Sequence, residues 1–213
     1  MEDATGHDVE AERPYLLILC AWIGFLGCAS LIIGVLVAQV MVPGHDWIAD
    51  TVSDLGAGEN EIIMDVALYG FAAGIMATAL AASHAHLGGI GWTVGIVSLA
   101  ILATLVVIIA ARNEYGDGDN EGVVIHVYLV YGLGVFFTLA PLVMAAGAGR
   151  DTGWMKTWLI VLGILWALAS PIFFFLPTDI DGLYERALGL VACAQIAVLC
   201  LLFLSRGRAN QAH

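Results

Sequence analysis

Residues 15–40 of the chain read YLLILCAWIGFLGCASLIIGVLVAQV, a run without a single charged side chain. An α-helix rises about 1.5 Å per residue, so about 20 apolar residues cross the ~30 Å hydrocarbon core of a bilayer. This run is long enough to cross, and it stops before Pro43 and Gly44. Five more apolar runs follow it, separated by polar breaks, at 62–83, 92–111, 123–146, 157–176 and 183–204. The sequence therefore predicts an all-α, polytopic membrane protein with a bundle of six transmembrane helices.

The composition supports this fold class. Of the 213 residues, 61 % are hydrophobic and 12 % are charged, and the mean hydropathy is +0.92. Soluble domains are about 45–50 % apolar and about 25 % charged, so a soluble enzyme, a disulfide-rich secreted module and a disordered chain are excluded. Only 7 residues are Lys or Arg, too few for a patch that neutralises nucleic-acid phosphates. We divide the chain into an acidic tail (1–14), a transmembrane domain (15–205) and a short C-terminal tail (206–213).

The few cations predict the orientation. Six spans place both termini on one side of the membrane, together with the loops after the second and fourth spans. The side richer in Lys and Arg faces the cytoplasm. The side of the termini holds Arg13, Arg150, Lys156, Arg206 and Arg208, whereas the other side holds Arg112 and Arg186. We therefore expect a multi-pass cell-membrane protein with both termini cytoplasmic. Its N-terminus lacks the basic region of a signal peptide, so we expect the first helix to be retained.

The chain is strongly acidic, with a formal net charge of −12 at pH 7. Most carboxylates lie in the N-terminal tail and in the three predicted outer loops, among them the charge-rich segment 117–121. A surface of one sign attracts counter-ions and can steer a cation. The same surplus is typical of proteins that must stay hydrated in concentrated salt. We favour the second interpretation, and with it a salt-adapted, archaeal prokaryotic source.

Ionisable side chains also enter the spans, about one turn below the outer loops. Asp65 lies in the second span, His126 in the fourth, and Glu185 and Arg186 at the start of the sixth. His126 follows the last loop carboxylate by five residues, which places it roughly 7 Å below the loop. Ionisable groups at this depth are costly unless they face the bundle interior or a water-filled cleft. The pattern predicts that polar groups from three helices meet near the outer face.

The first outer loop favours the same site. Its apolar residues Trp47, Ile48, Val52 and Leu55 are spaced like one face of a helix. We therefore predict a short amphipathic helix in this loop, ended by Gly56. We also expect Asp54 to pair with Arg186, because an ion pair makes burial of both charges tolerable. The predicted binding residues of this outward-facing pocket are Ser53, Asp54, Asp65, His126, Glu185 and Arg186.

The same positions carry a resemblance to a known family. Ser53-Asp54-Leu55-Gly56 after the first span, His126 one turn into the fourth, and Gly182-Leu183-Tyr184-Glu185-Arg186 at the start of the sixth resemble the prokaryotic six-span DUF998 membrane family. The resemblance covers about residues 15–205. It implies the architecture and the candidate positions Ser53, Asp54, His126 and Arg186. It implies no reaction, because the family has no established activity.

Three functions remain compatible with this sequence. The first is a small transporter in which His126 and a carboxylate exchange protons and Arg186 binds an anionic group. The second is a lipid-binding or lipid-modifying protein whose cleft accepts a head group. The third is a structural or assembly protein in which the polar groups pair with one another. We predict membrane lipids as partners, with a small solute or a lipid head group as ligand. No nucleic acid, cofactor, metal or catalytic residue is predicted, and an enzyme is not favoured.

Overall fold

A computed structural model of the chain describes residues 12–56, 60–85, 87–111 and 125–211. The predicted tail at residues 1–11 and the acidic loop at residues 112–124 lie outside them. The described residues form seven α-helices, one 3₁₀ helix and no strand. The α-helices are α1 (Pro14–Met41), α2 (Val52–Leu55), α3 (Glu61–His84), α4 (Ile90–Ala111), α5 (Ile125–Ala148), α6 (Gly153–Ala169) and α7 (Asp181–Gln211), and the 3₁₀ helix spans Ser170–Phe175.

The six long helices form a ring in chain order. Each packs against the next one along the chain, and α7 returns to pack against α1. All six segments are long and apolar enough to cross a membrane. The predicted six-helix bundle is therefore confirmed, as is the short helix in the first loop, where α2 occupies four residues and Gly56 is its C-cap. We call the end where α1 stops and α3, α5 and α7 begin the site end, and the opposite end the termini end.

Two helix ends differ most from the sequence-based boundaries. The fifth span ends its α-helix at Ala169 and continues as a 3₁₀ helix, with Pro171 near its start. Proline has no N–H to donate and clashes with the preceding turn, so an α-helix cannot continue through it unchanged. The sixth span does not stop at Ser205 but runs on to Gln211. Arg206 supports this extension, since it bonds to Glu12 and to Asp151, the latter at 2.6 Å.

Helices α1 and α3 pack closely because glycines line their contact. A Cβ atom on Gly27 would lie 2.8 Å from both the carbonyl oxygen of Gly70 and the Cα of Gly74. Without a driving force from water, membrane helices associate through such close contacts between small residues. The Gly70-x-x-x-Gly74 spacing therefore serves packing within the chain.

The termini half of the ring is close-packed. Ile75, Met144, Leu159, Leu199 and Phe203 contribute to its core, and each is at most 2 % exposed. The loops at this end are tied to neighbouring elements, because the Arg13 backbone N–H donates to His84 at 2.6 Å and the Arg150 side chain donates to the Leu87 carbonyl. This half of the bundle therefore has a densely packed core, which lies directly below the site end.

We predict that Gly27→Ala destabilises the protein by about 1–3 kcal/mol, the usual cost of overpacking. The added methyl group meets backbone atoms of α3, which cannot rotate away. The matched control is Gly153→Ala, since a Cβ on Gly153 meets nothing within 4 Å. The stability of both variants is measured as the midpoint of thermal unfolding in detergent. If both variants unfold at the same temperature, α1 and α3 do not pack as closely as described here.

A cavity with a polar mouth at the site end

A cavity of about 780 Å³ lies inside the ring at the site end. All six long helices contribute to its wall, which includes Leu31 of α1, Val106 of α4 and Leu188 of α7. Its lining residues come from the site-end part of each helix, such as 31–39 of α1 and 183–193 of α7, and reach the middle of α5 at Phe137. Most of the lining residues are apolar, and most of the polar ones lie towards the loop between α1 and α3.

Aromatic side chains form the floor of the cavity. Phe137 of α5 contacts Phe71 of α3, with ring centroids 6.5 Å apart, and Trp166 of α6, with centroids 4.9 Å apart. Phe137 follows His126 by eleven residues, or about 16 Å along the helix. The hydrocarbon core is ~30 Å thick, so the cavity is about one leaflet deep. Below it lies the close-packed termini half.

The first two turns of α7 hold the loop between α1 and α3 across the mouth of this cavity. The Leu183 N–H donates to the Ile48 carbonyl at 2.9 Å. The Glu185 carboxylate accepts from the Val52 N–H at 2.6 Å, and the Arg186 guanidinium donates to the Asp50 carbonyl at 2.9 Å. Backbone N–H and carbonyl groups that lose contact with water need partners, and α7 supplies them for these partly exposed loop residues.

Asp54 has a different role from the predicted one. It forms a capping box with Thr51 at the start of α2, in which the Thr51 N–H donates to Asp54 at 2.7 Å and the Asp54 N–H donates to the Thr51 hydroxyl at 3.1 Å. The guanidinium of Arg186 bonds instead to the carbonyls of Asp50 and Gly182 and to His45. A helix N-terminus leaves backbone N–H groups without partners, and Asp and Thr satisfy them locally.

Three of the predicted site residues come together at the mouth. The Ser53 hydroxyl lies 3.3 Å from Nε2 of His126 and donates to the Glu185 carboxylate at 3.4 Å. Nδ1 of His126 is buried and has no hydrogen-bond partner among the described residues. Asp65 and Arg186 line the same cavity. We call Ser53, His126 and Glu185 the mouth cluster.

The arrangement of the mouth cluster suits the binding of a polar group. A hydroxyl both donates and accepts, and a neutral imidazole offers one donor and one acceptor. The Glu185 carboxylate contacts Ser53 and the backbone of α2, so it orients the hydroxyl. Within the described residues, no three His, Cys, Asp or Glu side chains lie close enough to hold a metal ion together.

His45 belongs to the site but was missing from the predicted set. Its side chain is only 2 % exposed, and its Nε2 lies 2.8 Å from Nη2 of Arg186. Because a guanidinium can only donate, Nε2 accepts, and the ring proton is on Nδ1, which faces the Asp50 carboxylate at 3.4 Å. Burial, and then the charge of Arg186, lower the pKa of His45 below its ordinary value, although Asp46, Asp50 and Asp54 oppose this shift.

Comparison with known proteins assigns the family. The family model described as "Protein of unknown function (DUF998)" matches residues 25–202 of the chain. The chain belongs to the DUF998 family. The match includes the whole mouth cluster and all the residues that line the cavity, so this site lies within the part shared with the family model. No curated protein and no solved structure matches the chain. This DUF998 protein is thus an integral membrane protein of a family without an assigned activity.

We predict that Gly182→Ala displaces the loop from α7. Its Cβ would collide with the backbone carbonyl of Asp50 and lie 2.9 Å from that of Ile48. Overpacking of this kind costs about 1–3 kcal/mol, and chymotrypsin should then cleave the loop after Trp47 faster. Gly189→Ala on the same helix is the matched control, since its Cβ meets nothing within 4 Å. Equal thermal midpoints and cleavage rates for both variants would contradict the docking of the loop on α7.

We also predict that protonation of His45 at acidic pH weakens the docking of the loop on α7. The folded protein holds the pKa of His45 below about 6.5, so the unfolded chain takes up the proton first. The stability that neutral His45 contributes is present above about pH 6.5 and is lost as the pH falls towards its folded pKa. The thermal midpoint should fall between about pH 7.5 and about pH 5, and it should fall less in His45→Gln. Parallel pH profiles of the two proteins would refute this role of His45.

Proposed function

We propose that this protein binds a membrane lipid, with the acyl chain in the cavity and the head group at the mouth cluster. The observation that carries the proposal is the polarity of the cavity, which is apolar over about one leaflet of depth and polar at the level of the loop. Ligand sites of this size are mostly apolar with a few placed polar groups. An amphiphile has the same division between chain and head.

Head-group recognition is assigned to Ser53 and His126. Both line the cavity, and the loop is held on α7 mainly by Leu183, Glu185 and Arg186. Because the Ser53 hydroxyl donates to Glu185, Nε2 of the neutral imidazole donates to Ser53, and the buried Nδ1 is an acceptor. A head-group hydroxyl or N–H can donate to Nδ1 and satisfy it. Leaving such a group unpaired costs about 1–3 kcal/mol. Arg186 is not assigned to the ligand, because its Nη atoms already bond to the loop.

The sidedness of the site belongs to the same proposal. The excess of Lys and Arg at the termini end favours a cytoplasmic position for that end, so the mouth cluster faces outwards and the bound lipid comes from the outer leaflet. We retain salt adaptation as the explanation of the acidic loops. The cell membrane of a salt-adapted archaeon is then the favoured location.

Two other functions are supported less well. A transporter needs a route to the far side, whereas the half of the ring beyond Trp166 is close-packed. In a purely structural bundle, the polar groups would pair with one another and the interior would be filled. The cavity of about 780 Å³ next to the mouth cluster favours ligand binding over both.

Fluorescence quenching by brominated lipids tests the proposal. Trp166, in the cavity floor, is 6 % exposed, and Trp92, in the close-packed half, is 3 % exposed. The exposed tryptophans are first changed to Phe; they are Trp22, Trp47, Trp154 and Trp158. Changing either Trp92 or Trp166 to Phe as well then leaves a protein with a single tryptophan. Each protein is reconstituted in vesicles of phosphatidylcholine or phosphatidylglycerol with brominated chains. We expect Trp166 to be quenched in at least one lipid, because a bromine-bearing chain reaches the cavity floor.

Trp92 is the matched control, since it is buried to a similar extent but does not line the cavity. It should be quenched little in either lipid. If Trp166 is quenched no more than Trp92 in both lipids, no chain enters the cavity and the proposed function is wrong.

A further inference from the structure

The cavity has an opening in its side wall, between α1 and α7. The two helices are antiparallel and touch at Cys28 and Cys193, where each thiol points at the other residue's carbonyl, at 3.6 Å and 4.0 Å. Four residues closer to the site end, this register pairs Ile32 of α1 with Gly189 of α7. A Cβ on Gly189 would meet nothing within 4 Å. The helices therefore separate above the two cysteines.

The side chains around this opening face both the cavity and the outside. Ile32 and Leu36 of α1 and Leu190 of α7 line the cavity, yet they are 38 %, 54 % and 57 % exposed. The contact of Ile48 with Leu183 closes the opening at the top, and the crossing of Cys28 with Cys193 closes it at the bottom. We call this opening, bordered by Ile32, Leu36, Gly189 and Leu190, the side window.

The depth and chemistry of the side window indicate what passes through it. Gly189 follows the start of α7 by eight residues, which places it about 12 Å along the helix. The four residues that border the window carry no charge. At this depth a membrane-spanning chain meets the hydrocarbon of the bilayer rather than water. The border therefore faces acyl chains on one side and the apolar cavity on the other.

We infer that the side window admits the acyl chain of a bilayer lipid, which enters sideways from the surrounding leaflet. The head group stays at the interface, beside the mouth cluster, while the chain passes between α1 and α7. This inference rests on the proposed function and adds the source of the ligand, which is the bilayer and not the aqueous side of the loop. The loop held by Glu185 and Arg186 lies across the mouth on the aqueous side.

Gly189→Phe tests the side window. The change fills the open space beside Gly189 without touching the mouth cluster, and it is made in the protein that retains Trp166 alone. In brominated vesicles we expect the quenching of Trp166 to fall to the level of the Trp92 protein. Gly189→Ala is the size control and should leave the quenching of Trp166 unchanged. Thermal midpoints confirm that both variants fold, and Gly189→Leu supplies a second, smaller block if the Phe variant does not.

The outcomes separate the two proposals. If Trp166 is not quenched in the protein that retains Gly189, the proposed function fails. If Trp166 is quenched equally in that protein and in the Gly189→Phe variant, a lipid binds but does not enter here, and the side window is refuted. If Gly189→Phe instead turns a dimer into a monomer in native mass spectrometry, a second copy of the chain covers the window, which also overturns the inference.

Discussion

The pinning of the loop between α1 and α3 by the start of α7 is the contact on which the site depends. Glu185 and Arg186 are charged groups at the edge of the apolar region, where an unpaired charge is costly. The loop at the same level has backbone N–H and carbonyl groups that also need partners. Each satisfies the other, since the carboxylate accepts from Val52 and the guanidinium donates to Asp50. Ser53 is thereby fixed beside His126 at the mouth of the cavity.

The length of the apolar runs made the architecture predictable, and the depth of the polar residues within the spans made part of the site predictable. Apolar runs define the spans because a bilayer of fixed thickness needs helices of a minimum length. The meeting of Ser53, His126 and Glu185 follows from depth, since polar groups on different helices at one level can satisfy one another only inside the bundle. The predicted pairing of Asp54 with Arg186 considered charge alone, whereas the hydrogen bonds of Arg186 go to His45 and to two backbone carbonyls. The Thr51-x-x-Asp54 spacing is a capping signal, and it places this carboxylate in α2.

Other features had no signal in the sequence. The burial of His45 depends on where α7 starts relative to the loop, which is a tertiary relation. The cavity depends on how far neighbouring helices separate, and apolar residues line a void as readily as they fill one. Pro171 accounts for the end of α6, but its consequence for the site is a tertiary one. Because α6 ends there, the Ala169 carbonyl lacks a partner in its own helix, and the Tyr184 hydroxyl of α7 donates to it at 3.0 Å. The 3₁₀ helix that follows places Phe173 and Phe174 in the cavity wall.

If the cavity binds a lipid as proposed, the energetics of binding assign different roles to the two parts of the site. A chain that moves from the bilayer into an apolar cavity exchanges one hydrocarbon surface for another, so the hydrophobic effect contributes little to its affinity. The gain must come from polar contacts at the mouth, where each hydrogen bond contributes about 0.5–1.5 kcal/mol. A few such contacts with Ser53 and His126 support reversible binding rather than permanent capture. Under the proposed function, the depth of the cavity selects the length of the chain, and the mouth cluster selects the head group.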